Sequence, residues 1–317
     1  MSLDMEFENE TGLADDTNEF SERISGTLTF SEEDGASPEK VSSVSKCSAS
    51  DDESCNLSVP FEFDNGTHSH QVTFEIVAAN IIKEGRSKYV MYTIQILWDS
   101  VTDTSPVVVD RRYSDFEKLN TSLRQKFAKL MSEIVFPKKV LMGNFKPETI
   151  AQRSRAFEQY LTHVYSVDLL LYSKPFTDFF YGVDLATAHT HILNGQYKDC
   201  VPLLRSVLYI QKKLLGESHR DVVATLCAMV AALYAIEDNA QALSLVQVAL
   251  KCIGTDEHNC HLVPLLQVGV RLCWKLGREK KDLEEHLHLL KLHGLNVHSA
   301  PALLELVVDT IHTQSTV

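Results

Sequence analysis

The sequence predicts an α+β domain followed by an all-helical domain, with an acidic arm in front. Three observations carry this. Apolar residues alternate between positions 71 and 110, which is strand periodicity. Beyond Ser114 apolar residues recur at helical spacing, and nothing after Val183 reads as strand. The first 60 residues hold 15 acidic and three basic side chains, whereas the rest hold 28 and 27.

The α+β class, residues 71–182, rests on a three-stranded antiparallel sheet. Val72, Phe74 and Ile76 alternate, as do Val90, Tyr92, Ile94 and Ile96, and Gly85 marks the turn between them. The short β-branched run Val107-Val108-Val109 is the third strand. Phe116, Leu119, Leu123, Phe127 and Leu130 then repeat as one helix face. Ser114 and Glu117 have capping-box spacing, which predicts a helix start at Ser114. Pro147 opens a second helix, because its missing N–H is tolerated at the first helical position. Ile150, Phe157, Tyr160, Leu161 and Val164 form its inward stripe, and Pro175 to Tyr181 closes the domain.

Residues 183–317 read as helical hairpins. Turns at Gly195, Asn239 and Gly277 lie 44 and 38 residues apart, an irregular period near that of helical repeats. Such stacks leave a concave face for a peptide or helix. Residues 1–70, rich in Ser, Glu, Asp, Gly and Thr, are expected to be disordered. The island Ile24 to Phe30 within them is a candidate docking peptide. Ser31 and Ser50 precede acidic runs and are candidate phosphorylation sites.

The chemistry concentrates in Arg111-Arg112-Tyr113-Ser114-Asp115-Phe116. A helix N-terminus presents free N–H groups and partial positive charge, and guanidinium forks match phosphate oxygens. On this hexapeptide alone, a solvated Arg pair at a strand end explains the pattern equally well. Lys138 and Lys139 add a basic turn, and Arg153 falls inside the apolar stripe of the second helix. An Arg in such a slot either snorkels to water or faces a bound anion. Arg155 lies on the opposite, solvated face. Val140, Leu141, Met142 and Phe145 have no place in the core pattern and are candidates for insertion into a lipid interface.

This order of strand, RRYSDF, helix, FPKK and RSRAFEQYL resembles the phox-homology (PX) domain, the phosphoinositide-binding module of sorting nexins, over Gln71 to Gly182. The resemblance implies a role for each residue toward phosphatidylinositol 3-phosphate. Arg112 takes the 3-phosphate, Ser114 positions it, and Tyr113 stacks under the inositol. Lys139 takes the 1-phosphate and Arg153 the hydroxyls on the far side. Phosphatidylinositol 4,5-bisphosphate is a second candidate ligand. The segment from Val140 to Phe145 departs from many relatives, being short and free of Pro. Together with a helical C-terminal domain, the chain resembles the sorting nexins that join a PX domain to a tetratricopeptide-like domain.

Other chemistries fit poorly. The folded part has no basic excess, which argues against nucleic acid. The His pairs 68/70, 189/191 and 286/288 lack Cys or carboxylate partners at zinc spacing, so no metal is expected. No nucleotide-loop, hydrolase or metalloprotease motif occurs, so neither an enzyme nor a cofactor is expected. The seven cysteines are scattered without a C-x-x-C pair, and the N-terminus has no apolar signal core. No apolar run is long enough for a comfortable membrane span. The expectation is a cytoplasmic adaptor, peripheral on the cytosolic face of early endosomes. Its protein partners would bind through the helical domain and the arm. The alternative is a scaffold whose PX fold binds anionic membranes without a specific headgroup.

Overall fold

The computed structural model describes residues 72–98, 107–140 and 142–315. The acidic arm, with its docking island and both candidate phosphorylation sites, lies outside the described residues.

Three strands, β1 (Val72–Glu84), β2 (Ser87–Trp98) and β3 (Val107–Arg112), pair antiparallel in the order β1-β2-β3. Gly85 sits at φ 58° in the first turn, a conformation glycine adopts without steric cost. The β1–β2 register shifts between Ile76 and Ala78. Ala79, just past this bulge, lies in the core, and the Ile76 N–H before it turns to a side-chain acceptor. The Glu158 carboxylate accepts that N–H at 2.8 Å. Burial raises the Glu158 pKa, and the Ile76 bond opposes the shift.

Helices α1 (Tyr113–Lys126) and α2 (Pro147–Tyr165) cover one face of the sheet. Phe116 and Phe157, one from each helix, stack with centroids 3.7 Å apart and planes at 6°. Tyr92 of β2 meets both rings edge-on. Such aromatic pairs add about 0.5–1.5 kcal/mol beyond area burial. The first helix differs from expectation at both ends. It begins at Tyr113, with Arg112 as N-cap, and the Asp115 carboxylate rather than Glu117 accepts the Arg112 N–H at 3.0 Å. It ends at Lys126, so Leu130 is left 39% exposed, and Met131 and Ile134 fill the core instead.

Two short helices, α3 (Asp168–Leu171) and α4 (Lys174–Thr177), lead into a π turn at Asp178–Gly182. Helix α5 (Val183–Leu193) follows directly, then α6 (Tyr197–Leu215), α7 (Arg220–Ala235), α8 (Asn239–Ile253), α9 (Leu262–Lys275), α10 (Lys281–Leu292) and α11 (Leu303–Ser315). Helices α5 to α10 pack each on the next, as a stack of hairpins does. Asp238 caps α8 by accepting the Gln241 N–H at 3.2 Å, so the predicted turn there has a physical basis.

Two features shape the helical stack and its junction with the sheet domain. The boundary placed between 182 and 183 falls inside an unbroken helical run from Lys174 to Leu193. Helix α6 serves both cores: Val207, Ile210 and Leu214 pack with the sheet domain, while Leu204 and Leu208 pack with the stack. The Trp98 indole donates to the Lys213 carbonyl at 2.9 Å, and the Tyr165 hydroxyl to the Leu214 carbonyl at 3.1 Å. The second feature is the last helix. Helix α11 returns to pack on α5, α7 and α9, so the alternate helices lining one face of the stack are covered by the chain itself.

Candidate headgroup-binding site

The Arg pair is split by the strand register. Arg111 lies opposite Tyr92 on the core side, whereas Arg112 lies opposite Met91 on the other side. Arg111 is spent on structure. Its Nε and Nη2 donate to the Phe179 and Phe180 carbonyls of the π turn at 2.6 and 3.1 Å, and Nη1 donates to the Asp110 carbonyl at 2.6 Å. Burial lowers its pKa, and Asp115, Asp184 and Asp110 oppose the shift. Arg112 points outward, its side chain 52% exposed. Its Nε meets the Asp115 carboxylate at 3.4 Å, and its guanidinium lies 5.7 Å from the Tyr89 ring centroid.

Tyr113 and Arg153 form the inner wall. Arg153 is only 6% exposed and lies 4.5 Å over the Tyr113 ring. Its Nη2 donates to the Asn144 Oδ1 at 2.9 Å. The Tyr113 hydroxyl donates to the Pro137 carbonyl at 3.0 Å, and the ring rests against Phe136 and Phe157. Tyr113 thereby ties the helix start to the basic turn. Burial and the Glu117 charge raise its pKa, while Arg153 lowers it. The Tyr92 hydroxyl is buried nearby, and burial raises its pKa against the pull of Arg153.

Ser114 is exposed in the first turn of α1. Lys139 is exposed and reaches Glu117 at 3.8 Å, so it faces the same helix end. Arg112, Tyr113 and Ser114 thus stand at the α1 N-terminus, Arg153 lies over Tyr113, and Lys139 reaches Glu117 of the same helix. Arg155 is exposed on the other face of α2.

A PX domain model matches residues 100–182. Among solved structures, a designed CISK-PX domain is similar over 33% of this chain and 95% of its own, at 29% identity and a TM-score of 0.28. Sorting nexin-21 of Mus musculus is 36% identical over 242 residues, 76% of this chain and 67% of its own length. Sorting nexin-20 of Rattus norvegicus is 34% identical over 238 residues, 75% of this chain and 76% of its own. The chain belongs to the sorting nexin family. Within it, the chain falls in the group of sorting nexins 20 and 21, PX-domain adaptors of membrane traffic and not enzymes.

In this sorting nexin the four candidate insertion residues are not alike. Val140 is exposed and Met142 is 78% exposed, while Leu141 lies outside the described residues. Phe145 instead packs against the sheet-domain core, with the Lys88 ammonium 4.8 Å over its ring. Sequence reasoning missed Asn144, Lys88 and Tyr89. Asn144 carries no local signal, because its partner is nine residues away on α2. Lys88 and Tyr89 come to the site only through strand pairing. Among the described residues no helix is long and apolar enough to cross a membrane, and no three His, Cys, Asp or Glu gather as metal ligands.

Proposed function

We propose that this sorting nexin reads phosphatidylinositol 3-phosphate on the cytosolic face of early endosomes, while its helical domain binds a protein partner. The observation that carries the reading is a buried guanidinium, Arg153, lying over the Tyr113 ring at a helix N-terminus, with outward-facing Arg112 beside it. A buried cation costs free energy unless its charge is used, and Asn144 supplies only a neutral acceptor. The Arg153 guanidinium suits sugar hydroxyls. The Arg112 fork suits the 3-phosphate, with the Ser114 hydroxyl and the helix dipole behind it. Lys139 suits the 1-phosphate nearest the bilayer. Val140, Leu141 and Met142 follow Lys139 and enter the lipid interface.

Vesicles carrying each phosphoinositide in turn, mixed with the full chain, test the assignment. Charge-assisted hydrogen bonds contribute about 1.5–3 kcal/mol each. Arg112→Gln therefore lowers affinity for 3-phosphate vesicles at least about tenfold, whereas Arg155→Gln leaves it unchanged. Equal losses from both substitutions, or equal binding to every anionic vesicle, would mean loose electrostatic attachment and overturn the headgroup assignment.

A further inference from the structure

We propose that Tyr89 is a positioning residue of the headgroup site: its ring face and the Asp115 carboxylate hold the Arg112 guanidinium end-on toward the phosphomonoester of the lipid. The inference rests on Arg112 being the phosphate ligand.

Three contacts surround Arg112. Its backbone N–H donates to Asp115 Oδ2 at 3.0 Å, its Nε meets Asp115 Oδ1 at 3.4 Å, and the Tyr89 ring lies 5.7 Å from its guanidinium carbon. Among the described residues its hydrogen bonds run through the backbone and Nε, which leaves the two terminal Nη groups to form a fork. The ring reaches Arg112 because of strand register. Met91 pairs with Arg112, so Tyr89, two residues back on β2, points to the same sheet face as a diagonal neighbour. The Tyr89 hydroxyl points away from Arg112 to Glu84 across the hairpin, at 3.3 Å, so the ring face alone meets the guanidinium. An exposed Arg on a free stem samples many rotamers, and ordering it on binding costs affinity. A ring on one side and a carboxylate at Nε remove most of that freedom beforehand. The carboxylate alone is a poor guide, because it also repels the incoming phosphate. The ring attracts the cation without adding charge to the site.

A double-mutant cycle on the full chain tests this, using vesicles of phosphatidylcholine with phosphatidylinositol 3-phosphate and, separately, with phosphatidylserine. Tyr89→Leu weakens 3-phosphate binding about threefold to fivefold, the range of an exposed cation–π contact. Tyr89→Phe, which keeps the ring and loses the hydroxyl, restores it. Phosphatidylserine binding stays the same in both variants. In the Arg112→Gln background Tyr89→Leu costs nothing more, because no guanidinium is left to position. Thermal melting separates loss of fold from loss of positioning, and Tyr89→Met stands in if the Leu variant melts early. The proposal is overturned if Tyr89→Leu binds normally, if Phe fails as Leu does, or if the loss is the same with Gln at 112. A null effect of Arg112→Gln itself would instead remove the headgroup assignment on which the proposal stands.

Discussion

Adjacent arginines on one strand do opposite jobs. Arg111 is half-buried and donates to three carbonyls, two of them from a π turn. Arg112 is half in solvent, and among the described residues its terminal nitrogens make no hydrogen bond to the protein. Arg111→Met should therefore lower stability by about 2 kcal/mol or more, since it strands buried acceptors. The folded fraction should still bind 3-phosphate vesicles. Chemical denaturation with parallel vesicle binding checks this, and normal stability with lost binding would reverse the assignment of the two arginines. From the hexapeptide alone the pair could not be divided. The alternation of a strand says that one of them faces inward, but the pairing register is needed to say which.

Two half-buried imidazoles give a pH signature. Burial lowers the pKa values of His189 on α5 and His261 beside α9 from their ordinary 6.5. The folded protein then binds fewer protons than the unfolded chain, so stability falls as pH drops through the unfolded value near 6.5. Midpoints of urea unfolding at pH 7.5 and 5.5 should differ in that sense. His189→Gln with His261→Asn should narrow the gap, and an unchanged gap would assign the acid sensitivity elsewhere.

At the scale of elements, the loop from Val140 to Phe145 separates into two functions. Val140 and Met142 are solvent-facing, so Val140→Asp with Met142→Asp should cut vesicle binding while soluble headgroup binding persists. Burying one large apolar side chain contributes about 1.5–3 kcal/mol. Phe145→Ala should act differently. It removes a ring that packs on the core and carries Lys88, so melting temperature falls first. If Phe145→Ala left stability intact yet abolished vesicle binding, Phe145 would belong with the anchor residues.

Helix packing supplies a second element-scale prediction. A Cβ built on Gly269 of α9 would sit 3.0 Å from a Leu283 methyl and 3.1 Å from a Val246 methyl. Three helices meet there, and only glycine fits without displacement. Gly269→Val should lower stability by about 1–3 kcal/mol. An unaffected melting temperature would show that α8 and α10 can part without cost.

The strands, both sheet-domain helices and the turns before α6, α8 and α10 were legible because each follows from local periodicity and punctuation. Gly85, Pro147 and Gly195 carry their conformational reason in their identity. The end of α1 was not legible. Leu130 continues the helical spacing by coincidence, while Met131 and Ile134 enter the core from a non-helical segment that has no period. The Tyr113, Arg153 and Lys139 placements followed from motif order, but Asn144 and Tyr89 depend on contacts that only the folded chain creates. The return of α11 was likewise hidden. Its stripe predicts an amphipathic helix but not the surface it covers.

For the whole molecule, the shared helix α6 changes what a fragment is. A chain ending at 182 loses Val207, Ile210 and Leu214 from its core, and a chain starting at 183 bares the same three residues to water. Each fragment should melt below the full chain, and calorimetry of the full chain should show one transition, not two. Two independent transitions would mean that α6 packs too weakly on the sheet to unite the halves. Trp98, seated where β2 meets α6, is a convenient optical probe of that union.

The unbroken helical run from Lys174 to Leu193 works as a bracket. If the Arg112 site seats the sheet domain on a membrane, this run and the shared core of α6 hold the hairpin stack at one angle to it. A partner is then sampled only if its epitope stands at one height above the bilayer, facing one way. Affinity measured in free solution understates that filter, because orientation, and not contact area, decides which neighbours on the membrane are within reach.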